Sequence, residues 1–143
     1  RILVPCMRGE SPILYRTPYK REYMWVEDSV GWIYLLDRAL ANGKANGEAY
    51  NIGSGSQRTL EEAVAETLEH FPGISPTWIE APPISRLEIP YQKLNCTKFK
   101  DLVGLGSPPM GFSGALAKLV EWWRANWDRL PPAIKTLKIE GWH

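Results

Sequence analysis

Cysteine, histidine, surplus charge and long apolar runs are all scarce in this sequence. The two cysteines, Cys6 and Cys96, form no CxxC, and only His70 and His143 could assist them. That excludes a Cys/His zinc site and a disulfide-built secreted scaffold, and it predicts two buried thiols. The longest apolar run, Trp32 to Leu36, is far too short to span a membrane. The opening stretch Ile2–Met7 is short, is broken by Pro5 and is followed by Arg8, so no secretory leader is expected and a cytoplasmic location is. Lys plus Arg is 17 against 16 Asp plus Glu, a formal charge of +1. Such a balance argues against a nucleic-acid binder built on a broad basic surface and against an acidic solvating tail.

What remains is ordinary globular composition, with 44% hydrophobic and 23% charged residues. A length of 143 residues suits one domain. Twelve glycines and twelve prolines imply many turns for that length. The chain opens on Arg1 rather than Met, so a processed start or a piece of something longer is expected. No internal repeat or low-complexity segment is visible.

The periodicity alternates short strands with helices, an α/β or α+β pattern. Ile13–Tyr15 and Tyr23–Val26 read as strands, because β-branched and aromatic residues favour the pleated surface. Asp28 and Ser29 offer cap chemistry for a helix over 29–41, apolar on most of its faces and so expected to be buried on most of them. Ala49–Gly53 reads as a strand entering a glycine turn. Thr59 followed by Glu62 is a capping box for a helix carrying Leu60, Val64, Leu68 and Phe71. Thr77–Glu80 reads as a strand, and Pro82-Pro83 forbids regular structure after it. Asn95 or Thr97 is expected to cap a short helix to Val103. Ser113 is expected to cap a last helix with Leu116, Leu119, Val120, Trp123 and Trp127 on one face. Trp122 and Trp123, with Trp127, are expected to pack inside.

The order of four motifs resembles one family. Arg21-Glu22-Tyr23-Met24-Trp25-Val26-Glu27-Asp28 is similar to R-D-Y/W-x-Y/H-V-x-D, and Tyr50-Asn51-Ile52-Gly53-Ser54-Gly55 to Y-N-I/V-G-x-G. Glu88-Ile89-Pro90-Tyr91-Gln92-Lys93-Leu94-Asn95-Cys96-Thr97-Lys98 resembles E-I-P-x-Q-x-L-D-x-S-K, and Val120-Glu121-Trp122-Trp123-Arg124 the closing x-x-E-W-Y-R. Together they look like the C-terminal, substrate-binding part of an extended short-chain dehydrogenase/reductase. These are the NAD-dependent sugar-nucleotide epimerases and dehydratases, and the nucleoside-diphosphate-glucose 4,6-dehydratase branch is nearest. The resemblance implies an α/β, α+β-like lobe over 1–130 with short strands and four to five helices, no Rossmann half, and a tail over 131–143.

It also implies what is missing. No G-x-x-G-x-x-G turn is present to seat the NAD pyrophosphate. The family's Tyr-x-x-x-Lys pair finds no counterpart either: Tyr15 stands five residues before Lys20 with Pro18 between, and Tyr91 is followed by Asn95. No catalytic, cofactor or metal residue is therefore expected, with NAD(P) implied only for the intact family enzyme. The residues expected to bind substrate are Arg21 and Arg86, which the family pattern places on the sugar-nucleotide diphosphate, and Asn51. A planar guanidinium suits phosphate because it gives two parallel charge-assisted bonds. Glu88 and Gln92 are expected to brace a loop, and Asp28 and Lys98 to be structural.

Two readings follow. In the first, the chain is the sugar-nucleotide-binding lobe of such an enzyme, inactive alone, with a nucleoside-diphosphate sugar as ligand. In the second, it is a free-standing, non-catalytic remnant acting as a ligand-binding or protein-interaction module. Either way, strand 50–53 is expected to lack its sheet and the chain to self-associate or to need a Rossmann-domain partner.

Overall fold

The computed structural model describes residues 2–81, 89–106 and 108–136. Helix α1 (Leu3–Met7) leads into β1 (Ile13–Arg16) and β2 (Lys20–Glu22). Then come α2 (Val26–Ala41), β3 (Gln57–Thr59), α3 (Leu60–Leu68) and β4 (Thr77–Glu80). The chain continues through α4 (Thr97–Val103), α5 (Phe112–Asn126), a 3-10 turn (Trp127–Arg129) and the single turn α6 (Pro132–Lys135). This is a small α/β unit, with one short helix more than the motif reading implied. Among the described residues no helix is long and apolar enough to cross a membrane.

Two small sheets organise it. β1 lies parallel to β4 with Ile13 opposite Thr77 and Arg16 opposite Glu80. β2 lies antiparallel to β3, pairing Lys20 with Thr59, Arg21 with Arg58 and Glu22 with Gln57. The stretch Pro90–Gln92 runs along β2 as well: Lys20 donates its N–H to the Pro90 carbonyl (3.0 Å) and accepts from the Gln92 N–H (3.1 Å).

The apolar side chains collect in two places. Cys6, Phe71, Leu116 and Val120 form a buried cluster joining α1, the end of α3 and α5. Trp32 and Phe99 are fully buried with ring centroids 5.1 Å apart, locking α2 onto α4. Both cysteines are free and buried, as expected.

Several elements differ from the sequence expectation. The aromatic run Tyr23–Trp25 is not a strand; the strand is the polar Lys20–Glu22, because its backbone finds two neighbours there. Helix α2 starts at Val26, three residues early, placing Glu27 and Asp28 in the first turn, where carboxylates favour the positive helix end. Asp28 caps nothing on its own helix. It is buried, and its Oδ2 accepts from the Met110 N–H at 3.1 Å. The expected strand over 49–53 is absent, and regular pairing falls instead on Gln57–Thr59. Cys96, not Asn95 or Thr97, occupies the cap position of α4, although Asn95 Oδ1 does accept from the Thr97 N–H (3.1 Å). Ser113 lies inside α5, which begins after Gly111. Trp122 is exposed, and Trp123 and Trp127 are half-buried at 6.1 Å centroid spacing, so this group is not core.

The capping box is where the sequence put it. Thr59 Oγ1 accepts from the Glu62 N–H (3.1 Å) while Glu62 Oε2 accepts from the Thr59 N–H (2.8 Å). Helix α3 is then fastened to α5 and β3 by Glu66. Its carboxylate accepts from Ser113 Oγ at 2.6 Å and pairs with Arg58 Nε at 2.6 Å. The Ser113 hydroxyl first, and the Arg58 guanidinium second, hold the Glu66 carboxyl below the ordinary carboxylate range. A depressed folded value gives stability that is present above the unfolded value of about 4.3 and lost as pH falls through the folded one. The melting midpoint should therefore fall on acidification below about pH 4, and Glu66→Gln should flatten that part of the curve. A thermal melt series from neutral to acidic pH checks it.

Candidate functional site

The strand β2 carries the site. Successive side chains on a strand point to opposite faces, so Arg21 projects to one side while Lys20 and Glu22 project to the other. On the Arg21 side, Arg58 stands directly across the ladder. Two like charges opposite each other repel, and the fold separates their duties. Arg58 is pulled onto Glu66 and stacks 4.4 Å over the Phe112 ring. Arg21 turns toward Ile89, donating Nη1–H to its carbonyl at 2.8 Å, with the guanidinium 5.0 Å over the buried Tyr19 ring. The Arg21 head is thus held in place by a backbone carbonyl and an aromatic face while remaining partly open to solvent. These contacts order the cation.

Glu22, on the other side, stands where the resembled motif has Asp. In the structure it is the most connected side chain of the site. Its Oε1 accepts from the Gly55 N–H (2.7 Å) and the Ser54 hydroxyl (3.4 Å), and its Oε2 from the Leu94 N–H (2.8 Å). One carboxylate thereby joins β2, the 53–55 turn and the 89–95 segment. Gly53 is required for this approach, since a Cβ there would collide with the Glu22 carboxylate. Gly55 supplies the positive φ of 75° that turns its N–H inward.

The other expected residues fall as follows. Asn51 is exposed and donates Nδ2–H to the Asn95 carbonyl at 3.2 Å, in an irregular segment rather than a strand. Arg21 and Asn51 both hold the 89–95 segment, at its two ends. Arg86 and Glu88 lie outside the described residues, as do Pro82-Pro83. At Gln92 the contacts are made by the backbone and not by the side-chain amide: its carbonyl accepts from Gln57 Nε2 at 2.9 Å. Lys98 is structural too, donating to Glu48 Oε2 (2.6 Å) and to the Ala49 carbonyl (3.1 Å).

Neither thiol is a nucleophile in waiting. Burial pushes the Cys6 thiol up, and burial with the Glu22 charge pushes Cys96 up. Burial likewise raises the Tyr23 phenol, against the opposing charge of Arg21. Among the described residues no group of three His, Cys, Asp or Glu side chains is placed to hold a metal.

No family model matches this sequence, and no curated protein does. The fold, by contrast, has clear relatives among solved structures. The UDP-glucose 4-epimerase of Thermotoga maritima, solved with UDP-glucose, superposes with a TM-score of 0.71 at 24% identity. The match covers 88% of this chain and 38% of the epimerase. The dTDP-glucose 4,6-dehydratase of Bacillus anthracis, solved with NAD, gives 0.71 at 21% identity over 92% of this chain and 40% of that one. The Bordetella bronchiseptica enzyme WbmF, solved with NADH, gives 0.72 at 19% identity over 94% and 38%. This chain therefore shares the fold of one part of each of these enzymes, and it spans about two-fifths of the length of each.

Proposed function

We propose that this chain is the sugar-nucleotide-binding, C-terminal lobe of an NAD-dependent epimerase or dehydratase. In this reading Arg21 clasps the diphosphate of a nucleoside-diphosphate sugar, with Arg86 as the second cation and Asn51 at the edge of the site. The observation that carries it is the coincidence of two independent facts. The chain superposes over nearly its whole length on part of enzymes solved with UDP-glucose or NAD, and Arg21 sits in the motif that suggested phosphate contact. The geometry at Arg21 supports the role, because a guanidinium already ordered by Ile89 and Tyr19 loses little freedom on binding.

The cofactor is a different matter. The glycine pair Gly53 and Gly55 has its inward N–H taken by Glu22, so that N–H is not offered to a pyrophosphate. This turn does not fit NAD, and no step through the cofactor is assigned to this chain. It binds and positions a nucleotide sugar, and the oxidation and reduction belong to a nucleotide-binding half.

Such a half would also resolve an exposed surface. Helix α2, expected to be buried on most faces, leaves Val26, Val30, Ile33 and Tyr34 each about 60% exposed. These recur at helical spacing, so they share a face and form an unpartnered apolar stripe. The isolated chain should self-associate, or bind a Rossmann-type domain, through this face. Light scattering across a concentration series checks it, and a monodisperse monomer at high concentration would refute the claim. The function itself is tested by calorimetry of the chain with UDP-glucose, where saturable binding is expected and no heat beyond dilution would overturn it.

A further inference from the structure

The Glu22 side of β2 borders a cleft that the reading above leaves unused. Its volume is about 430 Å³, and Gly55, Lys93, Asn95, Cys96, Thr97 and Lys100 line it together with Leu94. That is room for a small metabolite. Two lysines belong to the lining, with Lys100 Nζ beside Gly55, and among the described residues neither the Lys93 nor the Lys100 side chain makes an ion pair or hydrogen bond. The nearby carboxylate, Glu22, does not neutralise them through a contact: both its oxygens are already engaged by the Gly55 and Leu94 N–H groups. Several other basic side chains are paired, Lys98 with Glu48, Arg58 with Glu66 and Lys118 with Glu27. The Thr97 hydroxyl adds a donor that rotates to suit a ligand.

We infer that this cleft is a second anion site, separate from the Arg21 face, taking the phosphate group of a small phosphorylated metabolite between Lys93 and Lys100. Lysine suits the task because a compact ammonium on a flexible stem acts as a point charge toward a single phosphate. Strand alternation sets the two sites apart, since Arg21 and Glu22 leave β2 on opposite sides. The inference therefore stands or falls independently of the sugar-nucleotide reading.

The test is an amide-resolved NMR titration of the full chain with inorganic phosphate and, separately, glucose 6-phosphate, against sodium chloride at matched ionic strength. Saturable shifts at the Gly55, Asn95 and Thr97 amides are expected. Glucose 6-phosphate binding tighter than inorganic phosphate assigns the site to a phosphate ester, and the reverse order assigns it to free phosphate; either supports the anion site. Lys93→Gln/Lys100→Gln should weaken binding about tenfold or more. Should the double variant lose its native spectrum, each single Lys→Gln variant must weaken binding instead. Shifts reproduced by sodium chloride, or shifts insensitive to both lysines, would each overturn the proposal.

Discussion

Replacing Arg21 by alanine is expected to weaken UDP-glucose binding about thirty- to hundredfold, roughly 2–3 kcal/mol, as measured by calorimetry. The size follows from the chemistry of the pair. A guanidinium gives a phosphate two charge-assisted bonds, and removing it leaves the anion facing the Ile89 carbonyl and the Tyr19 ring, neither of which can donate. The variant also loses the bond from Nη1 to Ile89, so part of any loss could arise from a displaced 89–95 segment. Arg21→Lys separates the two effects. It keeps the charge but lacks the planar fork, and it should recover only a minor share of the binding. Equal affinity for the wild-type chain and Arg21→Ala would remove Arg21 from the site.

The second large effect is expected at Glu22 and concerns stability. Glu22→Ala leaves the Gly55 and Leu94 N–H groups without their acceptor, at a cost of about 2–3 kcal/mol and a melting midpoint lower by several degrees. Glu22→Asp shortens the reach by one methylene and cannot hold both donors at once. Gly53→Ala should destabilise for the same reason, because its Cβ displaces the carboxylate from Gly55. The two sites are therefore coupled. In a double-mutant cycle Gly53→Ala should cost clearly less in the Glu22→Ala background than in the wild type. Additive costs would show that the carboxylate does not join the turn to the strand.

Local chemistry in this chain was legible and long-range chemistry was not. The capping box at Thr59 and Glu62 is complete within four residues, and the sequence located it. The strand Thr77–Glu80 is legible in its residues, and its partner β1 is read as Ile13–Tyr15, one residue short of its end at Arg16. The aromatic run Tyr23–Trp25 misled because intrinsic preference cannot see neighbours: Lys20–Glu22 became the strand since β3 and Pro90–Gln92 offer it hydrogen bonds on both edges. Helix α2 misled in the opposite sense, for an all-round apolar pattern says that burial is needed and does not say by what. At the site, Arg21 and Asn51 were visible through motifs. Glu22 was not, because its partners lie 33 and 72 residues further along and are backbone groups, which leave no mark in the side-chain pattern.

The parallel pairing of β1 with β4 sets a timetable for the chain during its synthesis. Two parallel strands cannot be joined by a tight turn, and here the connection contains β2, α2, β3 and α3. β1 therefore emerges from the ribosome roughly sixty residues before its partner, a wait of several seconds at ordinary elongation rates. Throughout that interval Ile13–Arg16 presents an unpaired edge with two large apolar side chains, Ile13 and Tyr15, that stay exposed even in the finished fold. A nascent chain of this kind is a natural client for a holding chaperone, and its yield should depend on translation speed between β1 and β4 more than anywhere else.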